Sequence, residues 1–185
     1  IASYGKIVPR AILDLPKYGT LNVHPSLLPE LRGASPIQSG ILSDIILGTS
    51  HETGATIMLI DEQVDHGPII SQEKITVANW PPKGRELEEM LGILGGKLLA
   101  KTIPLWVSNA ITPKEQDHEH ATFTKKMTSG IGQIYLDDDP MQMYRKIQAF
   151  DTWPRAYFTT KRNEKDVRVV VTEAHIDSGA LILDR

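Results

Sequence analysis

The chain contains no cysteine. Disulfide frameworks, thiolate nucleophiles and cysteine metal sites are therefore excluded. Acidic residues (23) slightly outnumber lysine and arginine (20), so the chain as a whole has no basic field to attract nucleic acid. No continuous apolar run approaches the roughly 20 residues that a membrane helix needs, and no signal peptide is recognisable. We therefore expect a cytoplasmic protein without a membrane partner.

The length of 185 residues is that of one ordinary domain, or of a medium domain followed by a small one. The chain begins with Ile1 rather than methionine, and residues 1–5 read as the end of a strand that enters a loop. Residues 181–185 keep the apolar character of a strand, without a closing cap. We expect a segment of a longer protein.

A short strand in the first quarter of the chain carries an amide and an imidazole. Because side chains alternate along a strand, Asn22 and His24 face one side, and Leu21 and Val23 face the other. Pro25 cannot donate to a β-ladder, so it ends the strand directly after the histidine. Open α/β sheets place their reacting groups at this end of a strand. A polar pair of this kind more often marks only the solvent-facing side of a strand, so a functional role has to be supported by other motifs of the chain.

A second strand ends in a loop that bears carboxylates. Residues 54–61 form an apolar strand, residues 62–68 a loop punctuated by glycine and proline, and residues 69–77 a further strand. Asp65 stands at the apex of the loop. Asp61 is the rival carboxylate, at the end of the strand.

Two helix starts follow the capping rules. Ser35 precedes Pro36, and Gln38 stands three residues after Ser35, which predicts a capping box and a helix from Pro36 into the forties. The same pattern at Asp139 predicts a helix over residues 140–150.

The longest helical pattern runs over residues 84–107, where we expect core packing without chemistry. The periodic apolar residues are Leu87, Met90, Leu91, Leu94 and Leu98. Pro104 should kink or end this helix. Residues 109–120 then read as a polar linker. Its His118 and His120 form a H-x-H pair, but no supporting second shell is visible, so we expect no metal.

The last part of the chain reads as strands. Residues 155–160, 167–172 and 180–183 carry β patterns, and valines alternate with polar residues in the second of them. We interpret this part as a second, all-β module.

These motifs together resemble those of the folate-dependent formyltransferases. The resemblance is carried by residues 22–29 (NVHPSLLP), 32–38 (RGASPIQ) and 64–68 (VDHGP). It extends through the linker and residues 149–154 and 165–174, and so covers nearly the whole chain. Within the family, the RGASPIQ run and the C-terminal half are most similar to the members that formylate methionyl-tRNA.

The resemblance implies a fold of the α/β class in three parts. Residues 1–110 would be the C-terminal part of a Rossmann-like formyltransferase domain, and residues 111–138 a linker. Residues 139–185 would begin a small OB-like β-barrel domain. A monomer is expected.

The resemblance also implies a reaction. A formyl group would pass from 10-formyltetrahydrofolate to the amino group of methionyl initiator tRNA, and the family's catalytic residues fall on Asn22, His24 and Asp65. The chemistry suits these residue types: an amide can donate to the oxyanion, an imidazole can move a proton near neutral pH, and a carboxylate can orient the imidazole or accept a proton. No metal is required.

Contacts with folate and with the acceptor substrate are expected from residues beside the catalytic ones. The expected folate contacts are Tyr4, Gly5, Ile60, Asp61 and Val64. The expected substrate contacts are Ser26, Leu27, Leu28, Pro29, Arg32 and Gly33.

Other functions stay open. Enzymes that formylate glycinamide ribonucleotide or amino sugars, and those that hydrolyse formyl-folate, share the same motifs. An amino-sugar enzyme is the closer rival, because it can also carry a C-terminal module. A non-catalytic remnant is the alternative from another class. Scattered basic residues either contact phosphate or form an ordinary solvated face: Lys125, Lys126, Lys161, Arg162, Lys165 and Arg168.

Overall fold

The computed structural model describes residues 1–2, 7–43 and 51–184. In chain order its helices and strands are α1 (Arg10–Leu13), β1 (Leu21–His24), β2 (Arg32–Gly33), α2 (Pro36–Leu42), β3 (Glu52–Leu59), β4 (Ile69–Thr76), α3 (Gly84–Val107), β5 (Phe123–Thr124), α4 (Pro140–Ala149), β6 (Ala156–Arg162), β7 (Lys165–Val171), β8 (Ala174–Asp177) and β9 (Ala180–Leu183). Short 3₁₀ turns cover His118–His120 and Ser129–Gly132.

The central sheet has the strand order β1-β3-β4 with antiparallel neighbours. The loop between β3 and β4 is short, and a short connection joins antiparallel strands. On its other side β1 pairs in parallel with Ala2, at Val23. The predicted alternation along β1 is confirmed, because Leu21 and Val23 pack on the cluster of Ile57, Ile70 and Leu98.

Helix α3 covers the sheet and has the bounds that the leucine periodicity predicts. Leu87, Leu91, Leu94 and Leu98 are buried, and each fully buried leucine contributes about 2 kcal/mol. Pro104 lies in the last turn, and the helix ends three residues later.

Among the described residues α3 is also long and apolar enough to cross a membrane, by length and composition alone. Counting continuous apolar runs overlooked this, because charged residues interrupt the helix. A core helix passes the same test, and the leucines of α3 pack on the sheet.

Helix α4 joins the last part of the chain to the α/β core. Ala149 and Phe150, at the end of α4, belong to the same buried cluster as Ile41 and Leu91. Asp151 is 8% exposed, and its Oδ1 accepts a hydrogen bond from the backbone N–H of Arg85 at 3.1 Å. The first turn of α3 is therefore capped by a residue 66 positions away in the sequence.

One of the two predicted caps forms and the other does not. Asp139 Oδ2 accepts a hydrogen bond from the backbone N–H of Gln142 at 2.9 Å, as predicted. Ser35 precedes α2, but its side chain makes no capping hydrogen bond, so the predicted capping box is wrong. Its backbone N–H donates to Thr124 Oγ1 at 3.1 Å instead, so the loop before α2 is held by the β5 segment.

The C-terminal strands form two separate hairpins in the described part of the chain. β6 pairs with β7 and β8 with β9, over a second core that includes Ile134, Ile147 and Val171. Strands β6, β7 and β9 lie where the patterns predict them. β8 (Ala174–Asp177) was not predicted, because His175 and Asp177 interrupt its apolar pattern. A closed OB-like barrel is not formed by these residues.

Two adjacent glycines of α3 differ in their surroundings. A Cβ at Gly95 would meet Val23 Cγ1 at 2.6 Å, so the glycine lets α3 approach β1 closely. A Cβ at Gly96 would meet no atom within 4 Å. The sequence alone shows only that both glycines weaken the helix.

We expect opposite effects from alanine at these positions. Gly96→Ala should raise the free energy of unfolding by about 0.5–1 kcal/mol, because alanine loses less conformational entropy in a helix. Gly95→Ala should lower it by about 1–3 kcal/mol, because the β-branched Val23 has little freedom to move aside. Urea denaturation of both variants measures this. Equal stabilisation by both would show that α3 does not contact β1 this closely.

Candidate active site

Three predicted catalytic side chains line one cavity of about 510 Å³. Asn22 and His24 reach it from β1, and Asp65 reaches it from the loop between β3 and β4. The two side chains that strand alternation places on one face of β1 therefore meet the carboxylate from the loop apex at one cavity.

The imidazole of His24 is 3% exposed and held by a backbone carbonyl. His24 Nε2 lies 3.0 Å from the carbonyl oxygen of Leu31, and since a carbonyl only accepts, Nε2 carries the proton. Nδ1 lies 3.6 Å from Asp65 Oδ2, which is beyond hydrogen-bond distance. The orientation of the ring therefore comes from the carbonyl of Leu31 and not, as expected from the sequence, from Asp65.

Burial lowers the pKa of His24 below its ordinary value of 6.5. The negative charge of Asp65 and the hydrogen bond to Leu31 act in the opposite direction, and the effect of burial is the larger. At neutral pH the ring is therefore uncharged, and Nδ1 presents a lone pair toward Asp65.

The Asp65 loop is shaped by the backbone around it. Asp65 has a φ of 49°, in the left-handed region where aspartate is among the more tolerated residues. Its Oδ2 accepts a hydrogen bond from the backbone N–H of Gly33 at 2.7 Å. A Cβ at Gly67 would collide with the carbonyl oxygen of Leu59, so this position requires glycine.

The amide of Asn22 is available to a ligand. It lines the cavity, and it has no hydrogen-bond partner within residues 1–2, 7–43 and 51–184. A partly buried amide with unused N–H groups is suited to donate to an oxygen of a bound molecule.

The rival carboxylate Asp61 is engaged elsewhere. It lines the cavity, but its Oδ2 lies 2.6 Å from His66 Nδ1, and its Oδ1 accepts from the backbone N–H of Gln63 at 2.8 Å. Asp65, not Asp61, faces His24.

The predicted folate contacts divide into two sets. Ile60, Asp61 and Val64 line the cavity, and their contact with folate stays a prediction. Tyr4 and Gly5 lie outside the described residues, and their predicted role stays a prediction.

Most of the predicted substrate contacts have partners inside the protein. Gly33 lines the cavity. Ser26 is 1% exposed and its Oγ donates to the carbonyl of Glu30 at 2.6 Å, and the backbone N–H of the buried Leu28 donates to Thr56 Oγ1 at 3.2 Å. Leu27, Pro29 and the 3%-exposed Arg32 likewise lie outside the cavity lining. Substrate contact by these residues stays a prediction.

Sequence reasoning missed several residues at the site. Gln38 and Glu88 line the cavity, although the sequence pattern marks Gln38 only as part of a cap and gives Glu88 no role. Gln116, in the predicted linker, is 5% exposed and hydrogen-bonded to the backbone of Asp65 and Gly67. No local pattern in the sequence points to Gln116.

The H-x-H pair of the linker separates in space. His118 Nδ1 accepts from Arg32, and its ring stacks on that of His66, with centroids 4.1 Å apart. His120 pairs with Asp117. Within the described ranges no three histidine, aspartate or glutamate side chains gather in a way that would hold a metal ion.

Comparison with known proteins identifies relatives over nearly the whole chain. The family described as formyl transferase matches residues 1–102. A methionyl-tRNA formyltransferase of Roseiflexus sp. (strain RS-1) is 40% identical over 182 residues, which are 97% of this chain and 53% of that protein. The chain thus spans about half the length of the curated relatives it matches.

Solved structures show the same fold. Methionyl-tRNA formyltransferase from Clostridium thermocellum aligns with a TM-score of 0.68 at 22% identity, over 98% of this chain and 73% of its own. An N-formyltransferase from Helicobacter canadensis, solved with folinic acid and dTDP-3-aminofucose, aligns with a TM-score of 0.66 at 20% identity, over 84% and 54%. At these identities the likeness establishes the Rossmann-like α/β fold of formyltransferases.

The lowered pKa of His24 makes stability depend on pH. In the folded state His24 binds a proton less readily than in the unfolded chain, so stability is intact above pH 6.5 and falls as the pH drops below this value. The slope from one such group reaches about 1.4 kcal/mol per pH unit.

We therefore expect the free energy of unfolding to fall less steeply in His24→Gln than in the unsubstituted chain as the pH decreases from about 7 to about 5.5. Urea denaturation at several pH values measures the slopes. His175→Gln, which removes an exposed histidine paired with Asp184, is the control and should keep the steep fall. Parallel curves for His24→Gln and the unsubstituted chain would mean that His24 is not buried in its neutral form.

Proposed function

The chain belongs to the formyl transferase family, and on that premise we propose that it carries the catalytic centre of a methionyl-tRNA formyltransferase. The reaction transfers the formyl group of 10-formyltetrahydrofolate to the amino group of methionyl initiator tRNA. The observation that carries the proposal is the convergence of Asn22, His24 and Asp65 on one cavity. The 40% identity to a methionyl-tRNA formyltransferase supports the choice of acceptor.

In the first step the amine nitrogen attacks the formyl carbon. The formyl oxygen becomes an oxyanion in the tetrahedral intermediate, and the amide N–H of Asn22 donates a hydrogen bond to it. Donors already aimed at a developing charge lower the barrier, because no reorganisation is needed at the moment of reaction. The unused amide of Asn22 at the cavity wall supports this role.

In the second step one proton moves from the attacking amine to the leaving nitrogen of the folate. His24 Nδ1 accepts it, because Nε2 is committed to the carbonyl of Leu31. Asp65, 3.6 Å away, stabilises the resulting imidazolium. The bond between the formyl carbon and N10 then breaks as His24 returns the proton to N10, so atoms and charge balance.

The remaining contacts follow from the same assignment. Folate lies against Ile60, Asp61 and Val64, and Tyr4 and Gly5 are proposed from the sequence alone as further folate contacts. The acceptor is guided by Gly33 and by the loop that carries Ser26, Leu27, Leu28, Pro29 and Arg32.

The organisation of the whole protein belongs to the proposal as well. Residues 1–110 form the catalytic domain and residues 111–138 a linker. Residues 139–185 begin an OB-like domain, of which the two C-terminal hairpins would be part. The protein acts as a monomer in the cytoplasm, without a metal or a membrane partner.

An amino-sugar N-formyltransferase is the second candidate. The specific observation in its favour is the fold shared with the Helicobacter canadensis enzyme, at a TM-score of 0.66. Both reactions use the same three residues, so only the acceptor distinguishes them.

We expect substitution of the three residues to reduce kcat without unfolding the protein. Asn22→Ala removes an oxyanion donor and should cost about 10²–10³ in kcat. His24→Ala and Asp65→Asn should each cost about 10²–10⁴, because they remove the proton carrier and the charge that stabilises it. Steady-state formyl transfer by the protein as encoded by its gene measures this, with circular dichroism as the folding control. If Asp61→Asn costs more than Asp65→Asn, the roles of the two carboxylates are reversed.

The acceptor is tested by offering methionyl initiator tRNA, glycinamide ribonucleotide and an amino-sugar nucleotide side by side with 10-formyltetrahydrofolate. We expect transfer to the tRNA. Transfer to the sugar nucleotide alone would keep the mechanism and replace the acceptor. Absence of any transfer by a folded protein that binds folate would overturn the proposed function.

A further inference from the structure

We propose that Gln116 and Arg32 act together as positioning residues that hold the carboxylate of Asp65 over His24. The inference rests on the proposed function for its catalytic meaning, but its geometry does not. Gln116 lies in the segment for which the sequence predicts only a linker.

The amide nitrogen of Gln116 binds both ends of the turn that carries Asp65. Gln116 Nε2 donates to the carbonyl oxygen of Asp65 at 2.9 Å and to that of Gly67 at 2.7 Å. Both amide protons are thereby used on the backbone on either side of His66. The turn cannot rotate without losing one of these hydrogen bonds.

The amide oxygen of Gln116 binds Arg32. Gln116 Oε1 accepts from Arg32 Nε at 3.1 Å and from Nη2 at 2.7 Å, and Nη2 also donates to His118 Nδ1 at 2.9 Å. Gln116 is 5% exposed and Arg32 is 3% exposed. Hydrogen bonds to a buried charged group are stronger than those between neutral groups.

These contacts close a ring around Asp65. Arg32 is followed in the chain by Gly33, whose backbone N–H donates to Asp65 Oδ2 at 2.7 Å. Asp65 is thus fixed twice, at its backbone by Gln116 and at its carboxylate by the residue next to Arg32. The distance of 3.6 Å between Asp65 and His24 follows from both attachments.

Glutamine is suited to this position because it offers two donors and an acceptor on one planar group. Glutamate at 116 could still accept from Arg32, but it would turn an oxygen toward two carbonyl oxygens. Asparagine is shorter by one methylene and could not reach both partners. The role therefore depends on the chemistry of the side chain as well as on its volume.

Gln72 provides a matched control. Its Nε2 also donates twice, to the carbonyl oxygen of Leu28 at 3.0 Å and to Thr56 Oγ1 at 2.8 Å. Gln72→Ala removes the same atoms and the same number of donated hydrogen bonds in the same region, without touching the Asp65 turn.

The test is the titration of the His24 imidazole by NMR, assigned with His24→Gln. Asp65 raises the pKa of His24, so Asp65→Asn, which removes the charge, defines the full downward shift of the midpoint. We expect Gln116→Ala to shift the titration midpoint of His24 in the same direction, by a measurable part of the shift that Asp65→Asn causes. Gln116→Ala added to Asp65→Asn should give no further shift, because the effect passes through the carboxylate. Gln72→Ala should leave the midpoint unchanged.

Arg32→Lys is the second variant, in case Gln116→Ala does not fold. It keeps the charge but loses the paired N–H groups that bind Gln116, and it should shift the midpoint in the same direction. An unchanged midpoint in the folded Gln116 or Arg32 variants would overturn the inference. So would a Gln116→Ala shift that persists in the Asp65→Asn background.

Kinetics separate this inference from the proposed function. We expect Gln116→Ala to lower kcat while the KM for folate stays near that of the unsubstituted protein, because the folate wall is intact. If the unsubstituted protein transfers formyl groups but Gln116→Ala leaves the titration midpoint of His24 unchanged, only the positioning role is contradicted. A midpoint shift in a protein that transfers nothing contradicts the proposed function alone.

Discussion

The site depends on keeping one imidazole out of water without leaving it unsatisfied. His24 is almost completely buried, and moving a polar group out of water without a hydrogen bond costs roughly 2–7 kcal/mol. The carbonyl of Leu31 removes that penalty at Nε2 and at the same time determines which nitrogen faces the cavity. Leu31 has a φ of 60°, uncommon for a residue other than glycine, at the point where its carbonyl meets the ring. The chain therefore keeps a strained backbone residue where the tautomer of the histidine is decided.

Close backbone approach is the second constraint, and glycines satisfy it. Gly67 lies against the carbonyl of Leu59 at the base of the Asp65 turn, and Gly33 has a φ of 111° beside Thr124. Any side chain at either position would move one of the two loops that meet at Asp65. Gly95 acts from the other face of the sheet, because it lets α3 lie directly on Val23, between Asn22 and His24. The two catalytic candidates on β1 are thus supported from behind by α3, which packs on the opposite face of the strand.

The C-terminal part is attached to this arrangement by buried contacts rather than by a free linker. Phe150 is fully buried in the core of the α/β part, and Asp151 caps α3 and pairs with Arg85. The segment before it contributes Gln116, which binds the Asp65 turn, and Thr122, whose Oγ1 accepts from the backbone N–H of Leu31 at 2.8 Å. Residues that follow Asn22, His24 and Asp65 by many positions therefore help to define the shape of the candidate site.

How far the sequence predicts this structure depends on the range of the interaction that decides each feature. Local patterns determined the bounds of α3, the two faces of β1, the cap at Asp139 and the family, because leucine spacing, strand alternation, capping and motif residues act within a few positions. The choice of Asp65 over Asp61 also followed from its place in the loop. The contact of the Ser35 backbone with Thr124 in place of a capping box, the cap of α3 by Asp151 and the placement of Gln116 were decided by tertiary structure. In each of these the hydrogen-bond partners lie 49 to 89 residues away in the sequence. Nothing local distinguishes a glutamine on a solvated linker from one that is buried against the Asp65 turn.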